Sequence, residues 1–477
     1  MNFSFYSALN SSSLIDTSSS VVYGMFHNVY QHFFLYLFLF FLLTFLTIFI
    51  YVKIYFPFWN LQPVRHPYDL FRFWIPKPRI ILKRGQGIMG SLYDIRRRNR
   101  FCDFALVSSF LVSDMTDSDV NEVCLFLQSH FMREPSDSAS DYDVLFLFYP
   151  LHFLAYHSSS SSSSSSSLVS FIRLPYGLDS FVSSRPILLS FFSDKNSNSL
   201  RFHISFVDFL CVRNASDVMS LRKLLQTHFL RSCLLESNDI SGNSIDSSTS
   251  SSNTTTTSIG ACIFRKEDEP SDGIVAFLEY SADVYLLPRV FPYLSLPPGM
   301  RLVFLQNHSM HIWSEVILPQ LGRGDLFSVV GVSSIEALNA LIVARILFIG
   351  VLMEVTSGED IVYAVYIFRD SRTVYSNTGR MEAVGEEELE GALLQLICSV
   401  HWCEDSLFSL GFLYCLRELM KNTKDVFRYL MVEDIAYNSL LLELPLFSKS
   451  IDTHMVYYYS YNLLMPDMDS SSCFFVF

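Results

Sequence analysis

The chain has 477 residues, enough for more than one core or one large duplicated unit, and half of them are apolar, 44 being Phe. Its formal charge of −13 argues against nucleic acid as a partner and suits a basic peptide substrate. Nine Cys are scattered without a C-x-x-C pair or the His/Cys spacing of a zinc site, so reduced thiols and no structural metal are expected.

The first element is an apolar run. Residues 33–52 carry no charge, and only Thr44 and Thr47 are plainly polar, which is long enough to cross hydrocarbon as a helix. A cleaved signal fits less well, because the run is too long, begins late, and lacks basic residues before it or a small-residue cleavage site after it. Residues 1–32 hold no Lys or Arg, whereas residues 61–100 hold ten (Arg65, Arg72, Lys77, Arg79, Lys83, Arg84, Arg96, Arg97, Arg98, Arg100) against Asp69 and Asp94. The positive-inside rule then leaves residues 1–32 outside the cytosol and puts the body inside, making a single-pass membrane protein. The basic block reads equally as a solvated loop or as a patch lying on anionic headgroups. The glycosylation sequon at Asn214 has no consequence on the cytosolic side.

Beyond the span, residues 104–112 form an apolar run. Residues 117–132 read as a helix with Val120, Val123, Cys124, Leu127 and Phe131 on one face and Asp117 and Asp119 at its N-terminal end. The loop at residues 133–143 is acidic, and a loop of this kind is usually just solvated. A run of ten serines (158–167) and a Ser/Thr/Asn-rich stretch (236–258) are low-complexity inserts, one before a strand at 168–173 and one after a helix at 221–235. Residues 205–212 form an aromatic and β-branched strand that gives way to a polar turn and a helix starting near Asp217. Such a strand end offers backbone N–H groups backed by a helix dipole, suited to a phosphate or an oxyanion, although an ordinary core strand and helix would read the same way. The stretch from residue 316 has little period. Then come a helix at 334–347, a strand at 361–368 with Tyr363 and Val365 on one face, helices at 391–398 and 406–419, and a strand at 426–432. The alternation of sheet and helix occurs twice, in residues 53–305 and again in 306–477.

Four short motifs occur in a telling order. Asp208-Phe209-Leu210-Cys211-Val212 resembles the N-F-L-C-V strand of the glycylpeptide N-tetradecanoyltransferases (N-myristoyltransferases). Phe58-Trp59-Asn60-Leu61-Gln62-Pro63-Val64 resembles that family's F-W-x-T-Q-P-V, and Tyr457-Tyr458-Tyr459-Ser460-Tyr461-Asn462 its Y-Y-L-Y-N. Cys473-Phe474-Phe475-Val476-Phe477 sits where the family ends in G-L-V-L-x, and Ile95-Arg96 where it has I-R. The resemblance covers the chain from about residue 56 to the last residue.

It implies an α/β (α+β) tandem GNAT-type fold, the first half holding acyl-CoA and the second the peptide, behind an N-terminal transmembrane helix. The implied reaction moves a fourteen-carbon acyl group from myristoyl-CoA, the co-substrate, to the N-terminal Gly of client proteins. No permanently bound cofactor, metal or covalent intermediate is implied, and the chain is expected to act as a monomer. The oxyanion would be met by the main-chain N–H groups of Phe209 and Leu210, and the base would be the α-carboxylate of Phe477, a weak base unless buried beside the ammonium. Phe58, Trp59, Phe209, Leu210, Cys211, Val212 and Arg213 would contact acyl-CoA. Asp137, Asp141 and Asp143 would meet cationic residues of the peptide, together with Tyr366, which stands at the Tyr of the family's F-Y-T-L-P-S.

The departures from the family are specific. Leu61 replaces a Thr. Where the family has a basic turn like H-K-K-L-R-S-K-R around the CoA phosphates, this chain has Arg213, Asn214, Ala215, Ser216, Asp217, Val218, Met219 and Ser220. A charge-assisted hydrogen bond to phosphate is worth about 1.5–3 kcal/mol, so the missing cations weaken CoA binding by orders of magnitude, and Asp217 would repel a pyrophosphate. A Gly-Asp-Gly turn is replaced by Ser450-Ile451-Asp452-Thr453-His454, and the T-A-G and R-Y-W-H segments have no counterpart between residues 259 and 305. Two other readings follow: a non-catalytic descendant that binds rather than transfers, and a membrane-anchored structural protein whose motifs match by chance.

Overall fold

The structure, a computed structural model, describes residues 12–67, 77–81, 101–131, 142–158, 167–192, 199–214, 217–239, 256–355, 360–377, 391–423, 426–447 and 449–477. It divides into two compact units, Met1–Asn60 and Leu61–Phe477.

The first unit is dominated by the helix Ser12–Tyr55. Its segment His32–Tyr55 is long and apolar enough to cross a membrane, one residue longer at its start and three at its end than the run read from sequence. The hydroxyls of Thr44 and Thr47 donate to the carbonyls of Phe40 and Leu43, both at 2.8 Å, so the two polar side chains of the span are satisfied within the helix. Phe58 is buried and packs edge-on against Trp59, their centroids 4.8 Å apart.

The second unit is built on strands. In chain order they are β1 (Arg79–Ile80), β2 (Val107–Leu111), β3 (Tyr142–Phe146), β4 (Leu168–Leu174), β5 (Gly177–Phe191), β6 (Leu200–Val212), β7 (Thr256–Glu267), β8 (Leu278–Leu286) and β9 (Met300–Phe304). There follow β10 (Val329–Ser333), β11 (Leu347–Val355), β12 (Asp360–Asn377), β13 (Gly391–His401), β14 (Phe427–Glu433), β15 (Asp452–Tyr461), β16 (Leu463–Leu464) and β17 (Cys473–Val476). Fifteen of these join one mixed sheet in the order β17-β10-β5-β6-β7-β15-β8-β14-β13-β12-β11-β9, with β4 and β2 carried outward from β5 and β3 attached to β12.

The sheet contains the same arrangement twice. Antiparallel β4-β5-β6 leads through the helix Val218–Asp239 to β7, which runs parallel to β6; antiparallel β11-β12-β13 leads through the helix Asp405–Asn422 to β14, parallel to β13. A parallel neighbour needs a crossover of this length, which is why each half spends its longest helix there. The halves are joined by β15, antiparallel to β7 on one edge and to β8 on the other.

Local sequence explains most of these elements. The helix Asp117–His130 starts in a capping box: Thr116 Oγ1 accepts from the Asp119 N–H, and Asp119 accepts from the Thr116 N–H, each at 3.3 Å. The helix Asp405–Asn422 buries Phe408, Phe412, Cys415, Leu416 and Leu419 along one stripe. Residues 391–398, read from sequence as helical, are instead the strand β13. Its residues 393–400 are all buried because β12 and β14 flank it and both its faces are covered, and a continuous apolar run of that kind lacks the alternation that marks a strand. The stretch of little period around residue 316 is a π-helical turn, Ile312–Ile317, running into the short helix Leu318–Leu321. β12 runs nine residues past 368 because a register shift between Asp370 and Val374 bends it onto β3.

The second core depends on one close approach. A Cβ at Gly411 would lie 2.5 Å from Tyr366 Oη and 2.8 Å from Leu352 Cδ2, so only a residue without a side chain lets the helix Asp405–Asn422 sit this near β12. Gly411→Ala is expected to destabilise the fold by about 1–3 kcal/mol through overpacking, despite the better helix propensity of Ala, as read by denaturant unfolding; a gain in stability would show that the helix has room to shift.

Candidate active site at the bulge of strand β6

β6 is the strand on which the sequence motif falls, and its pairing is irregular where Asp208 and Phe209 stand. Against β5, Val207 faces Ser184 and Leu210 faces Val182, so the single residue Ser183 opposes both Asp208 and Phe209. This is a β-bulge, which leaves backbone groups out of the ladder and re-aims side chains. On its other edge β6 runs with β7 as far as Val207↔Phe264. Among the described residues no rung follows: β6 continues along β5 and β7 along β15. The two parallel strands thus part at the bulge, and the main chain of residues 208–212 borders the gap.

Phe209 is buried among rings, its centroid 4.9 Å from Phe148, 5.4 Å from Tyr156 and 5.6 Å from Phe131, whereas the Leu210 side chain is 38% exposed. Cys211 is buried and its thiol is pushed up to about 12 by burial, which makes it a packing residue rather than a nucleophile.

The last strand comes to the same place. β17 pairs parallel with β10 from Val329↔Cys473 to Val332↔Val476, which sets Phe477 beside Ser333, and the Phe477 ring lies on Phe206, centroids 4.4 Å apart, two residues before Asp208. A Cβ at Gly331 would come within 2.7 Å of the Phe477 ring and 2.8 Å of the Phe475 ring, so the bare backbone of β10 there makes room for both.

Beyond the strand end, the anion-binding features are occupied. Arg213 donates through Nε and Nη2 to the Leu178 carbonyl at 3.2 and 2.6 Å and lies over the Tyr176 ring. Asp217 caps the helix Val218–Asp239, accepting from the Ser220 N–H at 3.1 Å and the Ser220 hydroxyl at 2.7 Å, bonds that hold its carboxyl below the usual range.

Other residues singled out by sequence lie elsewhere. Tyr366, expected to face a peptide, is fully buried: its hydroxyl donates to the Phe408 carbonyl at 2.6 Å and its ring stacks on Phe408, so it is a core residue of the second half. Asp143 lies on β3 opposite Ser376. Asp137, Asp141, Ile95-Arg96 and most of the basic block lie outside the described residues; of that block, Arg65 pairs with Asp467. Phe58 and Trp59 belong to the first unit. Among the described residues no three His, Cys, Asp or Glu side chains are placed to hold a metal ion.

The sequence reading missed the polar groups beneath the bulge. Arg185 and Asp208, 2% and 5% exposed, form an ion pair at 2.9–3.0 Å; burial pushes the Asp208 carboxyl up and Arg185 pulls it part of the way back. His228 is held between the hydroxyls of Ser170 (2.9 Å) and Ser184 (3.0 Å). The signal available was a single charge among apolar and small residues, Arg185 within residues 181–191 of β5 and Asp208 within residues 204–212 of β6.

Three solved structures of N-myristoyltransferase from Saccharomyces cerevisiae share this architecture. Two contain bound myristoyl-CoA, with TM-scores of 0.58 and 0.59, 12% identity, 87% of this chain covered, and 90% and 94% of the enzyme chain covered. A third, with bound myristoyl-CoA and inhibitors, gives a TM-score of 0.58 at 12% identity over 88% of this chain and 93% of the other. The likeness is one of fold: the chain has the mixed α/β, GNAT-type fold of that enzyme. No family model and no curated protein sequence matches the chain.

Three buried histidines near the site titrate far below their ordinary range. Burial is the main cause at each, lowering His152 to about 4 and His157 and His228 to about 3, with Arg372 adding to the first and Arg185 and then His228 to the second. They stay neutral in the fold while the unfolded chain takes up their protons below about pH 6.5, so their stability contribution is complete above that pH and declines as pH falls. Neither ring nitrogen of His157 has a hydrogen-bond partner, so His157→Phe sacrifices no bond. Between pH 6 and 4 this variant should lose stability less steeply than the parent, by up to about 1.4 kcal/mol per pH unit; parallel stability–pH curves would mean that His157 is charged in the fold.

Proposed function

We propose that the chain is a membrane-tethered acyltransferase that moves a long-chain, fourteen-carbon acyl group from its CoA thioester to the N-terminal glycine of client proteins. One observation carries this reading: the bulge of β6, the parting of β6 from β7 and the terminal residue Phe477 meet at one place, on a fold shared with an enzyme solved with bound myristoyl-CoA. Acyl transfer from a thioester needs a polarised carbonyl, a free amine and a base. The main-chain N–H groups of Phe209 and Leu210 supply the first by meeting the oxyanion. The α-carboxylate of Phe477 takes the proton of the attacking amine. The first half, residues 53–305, receives the acyl-CoA and the second, residues 306–477, the peptide, whose cationic residues meet the carboxylates of Asp137, Asp141 and Asp143. The helix His32–Tyr55 anchors the protein with its body in the cytosol, the side on which the basic block lies.

A specific observation favours a second reading. The carboxylate of Asp217 already takes the helix N-terminus beside the strand end, and Arg213 is spent on Leu178, so a CoA phosphate has little to bind there. In that reading the chain keeps the fold and serves as a membrane-anchored binding module without turnover.

The test uses the full chain in detergent with a labelled tetradecanoyl-CoA and a glycine-initiated basic peptide. Transfer is expected, and two extra residues after Phe477 should reduce it about 100-fold or more while leaving acyl-CoA affinity in place. Binding of acyl-CoA without transfer would favour the binding module, and an extended chain as fast as the parent would remove Phe477 from the mechanism.

A further inference from the structure

Arg185 stands in β5 directly opposite Phe206, one position past the segment that faces the bulge. Its guanidinium meets three elements that build the site. Nε bonds Asp208 on β6 at 3.0 Å, and Nη1 donates to Ser333 Oγ on β10 at 3.4 Å, the position beside Phe477. The charge centre lies 5.1 Å from the ring of Tyr156, in the helix Pro150–Tyr156, and 6.0 Å from that of Phe206, which carries Phe477 on it. The side chain is 2% exposed, yet among the described residues no atom accepts a hydrogen bond from Nη2.

A buried cationic donor without an acceptor is costly, and an ion pair serving structure alone could give way to apolar residues without loss. Asp208 fixes the plane of the guanidinium through Nε, and the pair is neutral as a whole, so the site holds a preoriented donor without net charge. Arg keeps its proton at any working pH. A donor of that kind in a water-poor site stabilises an oxygen that gains negative charge far better than it stabilises a neutral carbonyl.

We propose that Arg185 is a catalytic residue of this centre, its Nη2 donating to the acyl oxygen of the thioester beside the N–H groups of Phe209 and Leu210. The inference rests on the acyl-transfer reading above. When the glycine amine attacks the thioester carbon, the C=O π pair moves to oxygen, which accepts from Arg185. On collapse the pair returns, the C–S bond breaks and the CoA thiolate leaves. The amine proton passes to the Phe477 carboxylate and then to the thiolate, and Arg185 keeps its own.

The experiment compares the full-length parent, Arg185→Met and the double variant Arg185→Met/Asp208→Asn, in which no buried charge is left uncompensated. Transfer kinetics, affinity for a non-reactive thioether analogue of tetradecanoyl-CoA and thermal unfolding are measured for each. The double variant should regain the stability lost by the single one while kcat stays about 100- to 1,000-fold below the parent, with KM and analogue affinity little changed. A double variant with the parent kcat would overturn the proposal, leaving Arg185 as a counter-charge for Asp208, and so would a loss confined to analogue affinity. If the Met variants do not fold, Arg185→Lys takes their place: it keeps the cation but not the second nitrogen of the fork, and kcat should fall at least about tenfold. A parent-like kcat there would overturn the proposal equally. No transfer by the parent itself would remove the acyl-transfer reading and this inference together, an outcome distinct from failure of Arg185 alone.

Discussion

Four rungs of parallel pairing hold the last strand against β10, and they place Phe477 on Phe206 at the foot of the β6 bulge. Parallel pairing is slightly weaker per residue than antiparallel, and a strand of four residues cannot hold itself. The rest comes from packing: residues 473–476 are at most 2% exposed, and Cys398 on β13 donates its S–H to the Phe475 carbonyl at 3.3 Å. β10 accommodates the rings of Phe475 and Phe477 only because Gly331 has no side chain. β17 is thus a wedge in the core at the foot of the bulge.

The two halves of the sheet share a design down to the place where the parallel strands part. β13 pairs with β14 as far as Leu396↔Val432 and runs on along β12, as β6 pairs with β7 as far as Val207↔Phe264 and runs on along β5. Where β7 runs on beside β15 without β6, Arg265 bridges to Glu433 of β14 at 2.8 Å and Tyr280 of β8 donates to the same carboxylate at 2.7 Å. Burial and the carboxylate together drive the Tyr280 hydroxyl well above its ordinary range, while Glu433 and Glu267 outweigh the effect of burial on Arg265 and hold its guanidinium charged. Removing one partner from such a buried network costs about 3–5 kcal/mol. Polar bonds across β7, β8 and β14 therefore help to join the two halves.

Elements whose chemistry is local could be read from the sequence. The helix that begins at Asp117, the helical stripe of residues 405–422, the strand at 205–212 and the apolar strand at 473–476 all carry their signal in adjacent residues. What lay beyond it depends on partners distant in the chain. β13 is a strand because β12 and β14 cover both its faces, and Tyr366 is core because the helix 405–422 approaches so closely at Gly411. The bulge is a matter of register between β5 and β6, which no window on either strand contains. The importance of Arg185 appears only once Asp208, Ser333 and Phe206 have been brought to it from three other positions in the chain.

The position of β15 has a further consequence for how the molecule is made. This strand, residues 452–461, fills the space between β7 and β8, and neither of those has another neighbour on that edge. Until residues 452–461 have been made, both edges present open backbone groups, and pairings that span so much sequence close slowly. A nascent chain would therefore carry two unfinished half-sheets until then, and any product cut short before residue 452 would remain in that adhesive state.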